Sequence, residues 1–198
     1  MMRYILAFIA VSVLAVVSCT SPFSARDSED PYETEGTFYT PVEPELVLIN
    51  LEFAYNETVI TNYAQCLDTV FFYKYDFLLF PQDSDSGWLY GSEMLLTDKI
   101  FATYRSGADT MTMKLRLTEL ESRPDFREDT LAVLYREYNL TTIAGTHRPD
   151  PDTIIYKGTS TFEVVQADVS LWMLRRWEDQ HSTPQDVGWA DFKNGFRR

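Results

Sequence analysis

Histidine is almost missing from this sequence: its 198 residues contain two, His147 and His181. The side chain that titrates nearest neutral pH is thus scarce, and both acid–base catalysis and zinc binding lose their commonest participant. Cysteine is equally rare, with Cys19 and Cys66 alone, too few for a disulfide framework or a cysteine-rich metal site. Basic residues are outnumbered, 17 against 30 acidic ones, for a formal charge of −13. A chain this acidic lacks the basic face that phosphate contacts require, which argues against nucleic acid and anionic lipid surfaces as partners. Glycine is thin too, and no Gly-rich phosphate loop, G-x-S-x-G turn or H-E-x-x-H helix occurs. The one long apolar run, residues 4–17, falls short of the roughly 20 residues a membrane-spanning helix needs.

That run has another reading. Met1-Met2-Arg3 is a short basic start, the apolar stretch follows, and Val16-Val17-Ser18-Cys19 closes it. Basic start, apolar middle and small residue before a cut are the parts of a secretory signal. The last four residues resemble the lipobox of bacterial lipoproteins, with Val16 where leucine is usual. The resemblance implies cleavage after Ser18 and lipid on Cys19, so the expected partner is a membrane, reached through that lipid. More than one acyl chain gives stable anchoring. Thr20, rather than aspartate, follows the cysteine; by analogy with lipoprotein sorting in Gram-negative envelopes, this points to the outer membrane, facing the periplasm. Loss of residues 1–18 removes Arg3 and no acidic residue, leaving the mature chain still more acidic.

Residues 20–43 are rich in Ser, Thr, Pro, Asp and Glu and show no apolar period. Such composition cannot bury enough surface to offset chain entropy, so residues 19–43 are expected to be a lipidated disordered tether. Residues 44–198 are then one domain, a normal length for a single core.

Within it, Val47, Leu48, Leu51, Ala54 and Tyr55 share one face of a helix expected over residues 44–56, with Pro44 in its first turn. A short helix is expected over 59–67, with Cys66 as a buried small residue. An aromatic strand follows over 70–80, then a loop over 81–91. Ser92 is the expected N-cap of a third helix, 93–105, whose apolar face carries Met94, Leu96, Ile100, Phe101 and Tyr104. The period then changes to two. Met111, Met113, Leu115 and Leu117 alternate with polar residues, and further strands are expected over 131–142, 154–167 and 171–179, joined by short turns as antiparallel neighbours.

This order resembles the nuclear transport factor 2-like superfamily, which includes ketosteroid isomerase, scytalone dehydratase and the polyketide cyclases. The residues that carry the likeness are Asn50 to Tyr55, Tyr63 to Phe72, and Trp172-Met173-Leu174-Arg175-Arg176-Trp177-Glu178-Asp179 near the end. The resemblance implies an α+β cone: three N-terminal helices packed on a strongly curved antiparallel sheet. It carries no activity with it, because this fold hosts enzymes, binding modules and assembly domains alike.

The residues themselves point to no catalytic constellation. His147 and His181 fall in a loop and just past the last strand, where solvated histidines are ordinary. Asp150 and Asp152, like Asp83 and Asp85, read as exposed turns, since the glycine and bidentate glutamate of a calcium loop are missing. Glu119, Glu137 and Glu163 alternate with core positions and are expected to face out. Candidate polar residues for the interior of the cone are Tyr55, Tyr138 and Arg175. If Arg175 reached inward it could hold a buried carboxylate or an anionic ligand. Regular alternation places Trp172 and Leu174 on one face of the closing strand, with Met173 and Trp177 on the other. No metal site and no cofactor are expected. The expected function is non-catalytic, with the cone taking a small apolar ligand or a protein partner and the sheet a second copy of the chain. The alternative is a cofactor-independent isomerase, dehydratase or cyclase acting on a small apolar substrate within the cone.

Overall fold

The structure is a computed structural model that describes residues 36–75, 87–107, 111–145, 152–167, 170–183 and 186–197. The signal segment, Cys19, most of the tether, the acidic pair Asp83 and Asp85, and His147 with Asp150 lie outside the described residues. Among those described, four helices and seven strands alternate in an α+β arrangement. Helices α1 (Pro44–Glu57) and α2 (Ile60–Cys66) come first, then strands β1 (Leu67–Tyr75) and β2 (Gly87–Leu89). Helix α3 (Tyr90–Ser106) and strands β3 (Met111–Glu119), β4 (Phe126–Arg127), β5 (Leu131–Ala144), β6 (Asp152–Gln166) and β7 (Trp172–His181) follow, and then helix α4 (Trp189–Asn194). No helix among the described residues is long and apolar enough to cross a membrane.

The strands form one curved, unclosed sheet in the order β2-β1-β7-β6-β5-β3, with β4 paired to β5. The long hairpin β5–β6 and its neighbours β3 and β7 are antiparallel, as short connections require. β1 runs parallel to β7, a pairing the sequence pattern did not indicate. Helix α1 begins with Pro44, whose missing N–H costs nothing there, and ends at Thr58 in the left-handed region. Its apolar face is buried as expected. Its polar face does something else: Asn56 accepts from Leu115 N at 2.6 Å and donates to Leu115 O at 3.2 Å, and Glu52 accepts from Leu117 N. These groups lie on the open side of the edge strand β3, so the helix satisfies a sheet edge that would otherwise offer itself to another chain.

Three boundaries differ from expectation. The domain begins before residue 44: Tyr39 exchanges two hydrogen bonds with the buried Asn50 side chain, at 2.7 and 2.6 Å, and Pro41 O accepts from Trp172 N at 2.8 Å. Phe38 packs on the core. Residues 36–43 therefore belong to the domain, and polar composition misled because the bonds they make are backbone bonds. Second, residues 87–89 are a strand rather than part of a loop. Trp88 on it is buried and stacks on Tyr73 with ring centroids 4.5 Å apart. Third, α3 starts before Ser92; Leu89 precedes its first turn and no side chain caps it.

The closing strand departs from simple alternation. Along β7, Leu174 opposes Val164 and Arg176 opposes Glu163, so Arg175 is an extra residue. This β-bulge puts Trp172, Leu174, Trp177 and Asp179 together on the inner face. Trp177 does not face away from Trp172, and Arg175 does not enter the cone. The Arg175 side chain is 47% exposed and forms an ion pair with Asp68 at 3.1 Å.

Candidate functional site: the buried polar centre of the cone

The inner face of the sheet and the helices α1 and α3 enclose a volume lined by aromatic side chains. Tyr55, Tyr63, Tyr73, Phe71, Phe101, Phe162 and Trp177 are all fully buried. Two carboxylates lie among them, Glu93 on the first turn of α3 and Asp179 near the end of β7, and both are shut off from solvent.

Helix α4 fills the space between them. Its arrival is governed by Gly188, where a Cβ would sit 2.8 Å from His181 Nε2 and 3.0 Å from the Tyr138 hydroxyl. The N–H groups at a helix start have no partner within the helix, and here the cone supplies acceptors for them. Trp189 N donates to Tyr138 OH and Ala190 N to Asp179 Oδ2, each at 2.8 Å, while Gly188 N donates to Asp191 Oδ2 at 2.7 Å. His181 Nε2 faces that same Asp191 oxygen at 2.7 Å. The Trp189 ring then packs edge-on against Trp177, centroids 4.1 Å apart, and its indole N–H donates to the Tyr55 hydroxyl at 3.2 Å.

One turn later comes Lys193, a fully buried ammonium. Its Nζ donates to Glu93 Oε1 at 2.6 Å and lies 3.9 Å from the Tyr73 ring centroid and 4.1 Å from that of Trp177. Trp88 and Trp189 complete a cage at 5.9 and 5.8 Å. Glu93 accepts from four donors. Oε1 accepts from Tyr63 OH and from Thr97 Oγ1 as well as from Lys193, and Oε2 accepts from the Trp88 indole. Three of these donors share Oε1, whereas Oε2 takes one.

Burial dominates the electrostatics. It holds the Lys193 ammonium below the ordinary lysine range, against the opposing pull of Glu93 and Asp179. It pushes the Asp179 carboxyl up, against hydrogen bonds from Ala190 N and Tyr138 and the charges of His181 and Lys193. Tyr55, Tyr63, Tyr73 and Tyr138 are all raised by desolvation first and by the nearby carboxylates second. These phenols stay neutral and act as hydrogen-bonding bodies. The Cys66 thiol is pushed up by burial to about 12, which leaves it an inert small residue.

Of the candidate polar residues, Tyr55 and Tyr138 are buried. Arg175 is outside, for the reason given by the bulge. His181 is corrected in the other direction: its side chain is 5% exposed and ends the closing strand, pointing in at Asp191. Glu119 and Glu137 are exposed, as expected. The residues missed are Glu93, Asp179 and Lys193, with the helix that carries Lys193. A signal for that helix existed, since Trp189, Phe192 and Phe196 follow Gly188 at helical spacing. Glu93 carried none: a glutamate in a first turn ordinarily faces water.

Chemically, the centre can hold charge but has little freedom to move it. A general base needs a lone pair aimed at a substrate, and both oxygens of Glu93 already accept from the protein's own donors. A substrate would need the volume that Trp189 and Lys193 occupy. Among the described residues no group of three or more metal-ligating side chains occurs.

No family model and no curated protein matches the sequence; solved structures do. A protein from Kribbella flavida overlays with a TM-score of 0.52 at 8% identity, covering 70% of this chain and 88% of its own. A conserved protein from Planctomyces limnophilus gives 0.50 at 7% identity, with 69% and 91% covered. A Salmonella enterica protein named as NTF2-like (nuclear transport factor 2-like) is similar more loosely, at 0.46 and 13% identity over 72% and 91%. At such identities the likeness is one of fold. The shared fold is α+β, a curved, mixed, unclosed sheet with packed helices.

Proposed function

We propose that this chain is a lipid-anchored protein of the bacterial cell envelope whose NTF2-like domain is a non-catalytic module. The observation that carries the second half is the interior itself: where cone-shaped enzymes of this fold keep space for a substrate, the chain puts its own Trp189 and Lys193, both fully buried. Glu93 Oε1 and Oε2 and Asp179 Oδ2 accept hydrogen bonds from the protein's own donors. The work of the domain then falls to its surface and to the position the anchor gives it. The first half is supported by the basic start, the apolar run and Val16-Val17-Ser18-Cys19.

Two measurements test the two halves. Metabolic labelling with a fatty acid should mark the wild-type protein and leave Cys19→Ser unlabelled; equal label on both removes the anchor. A fluorescent apolar probe should show no saturable uptake by the intact protein and should bind Trp189→Ala, in which a cavity opens. Saturable uptake by the wild type would instead mean a cone open to ligands, the isomerase-type alternative among them.

A further inference from the structure

Lys193 is held in a way that packing alone does not require. A lysine placed in a core merely to fill space would be replaced without loss by an apolar residue. Its ammonium, by contrast, needs a counter-charge and donors' partners on every side. Here the surroundings supply all of them from elements other than its own: a carboxylate from α3, the ring faces of Tyr73 on β1 and Trp177 on β7, and a further indole from β2. Ring faces attract cations because their quadrupole is negative above the plane, and attraction within about 6 Å is strongest where water is excluded. Five residues far apart in the chain, Tyr73, Trp88, Glu93, Trp177 and Asp179, thus converge on one positive charge. Of the rings around it, only Trp189 belongs to α4 itself.

We infer that the interior of this cone is a recognition site for a primary alkylammonium group, and that Lys193 on α4 is its resident ligand, delivered in cis. The site discriminates by chemistry. A neutral chain of the same length would leave the Glu93 carboxylate without its counter-ion, and an anion would be repelled by two carboxylates. A primary ammonium fits better than a quaternary one, because one N–H must reach Glu93 while the others face Tyr73 and Trp177. Helix α4 is joined to the sheet through residues 182–188, beyond the last strand, so it fills the cone without being part of the sheet's own ladder. The ligand class for an unfilled cone follows: a lysine side chain or a free alkylamine.

This inference rests on the reading of a self-filled cone and gives that filling a chemistry. It is tested in the full chain by Lys193→Ala, which removes three methylenes and the ammonium, using n-propylammonium as the probe and n-propanol as its neutral match. The expected result is a saturable rise in melting temperature with the amine, roughly 5–10 °C at a hundredfold excess over the dissociation constant, and none with the alcohol. Glu93→Gln combined with Lys193→Ala should abolish the preference. If Lys193→Ala does not melt cooperatively, the same comparison is made on refolding, where the amine should restore a cooperative melt. Equal response to amine and alcohol, no response to either, or a preference that survives Glu93→Gln overturns the site. Such a result leaves the filled cone intact as simple packing, whereas probe uptake by the wild type would overturn both.

Discussion

At the scale of single residues, the buried charges decide how the domain responds to pH. Asp179 has a carboxyl raised by burial above its unfolded value. For such a group the folded state binds the proton more tightly than the unfolded state. Its stabilising effect is full below the ordinary carboxylate range and is lost as pH rises through the raised folded value. Asp179→Asn keeps an oxygen for Ala190 N and Tyr73 OH but cannot titrate. Relative to wild type, it should gain stability as pH rises above the ordinary carboxylate range, read as the difference between the two denaturant melts across a pH series. A difference that is flat with pH would show that Asp179 is ionised at no cost. Little of this was legible beforehand. A buried Glu93 and an exposed one look the same in sequence, since what buries it is a tryptophan on β2, a tyrosine on α2 and a lysine on α4, none of them its neighbours on a helix face. Tyr55 and Tyr138 were legible because each lies on a regular apolar face, and a face can be counted.

Elements show where counting fails. The strand β7 carries two arginines in succession, and the first is the bulge. Deleting Arg175 would leave a regular strand with Trp172, Leu174, Trp177 and Asp179 still alternating inward. The domain should therefore keep a cooperative melt without that residue, while Trp177→Ala should cost about 3–5 kcal/mol. Were the strand regular as it stands, the deletion would turn Trp177 to the other face and the melt would collapse. Bulges are set by tertiary fit rather than by period, which is why alternation located the strand and yet misassigned half of it. The segment 36–43 is a second such case. A chain that begins at Val42 loses both partners of the Asn50 side chain and the acceptor for Trp172 N. It should be less stable than one beginning at Glu35 by roughly 2 kcal/mol or more, the cost of leaving buried polar groups unpaired. Equal denaturant midpoints would mean those bonds have no net worth.

For the whole molecule, the order of helices and strands was readable and the closure of the core was not. The cone was recognisable from three helices, a change of period and a tryptophan-rich last strand, each a local pattern. What fills the cone is a non-local fact. Tyr73 reaches Asp179, 106 positions later, and Lys193 reaches Glu93, 100 positions earlier. β1 also lies beside β7 in parallel, although nearly the whole sheet separates them in sequence. That pairing bears on how the protein is made. A chain delivered N-terminus first, whether from a ribosome or through a membrane pore, has β1 in hand long before its neighbour exists. Loop closure over such a span is slow and unrewarded until the partner arrives. The centre stays open until Trp189 and Lys193 have also emerged. On a ribosome, the early segments therefore lack the partners that complete the core until the last helix has emerged.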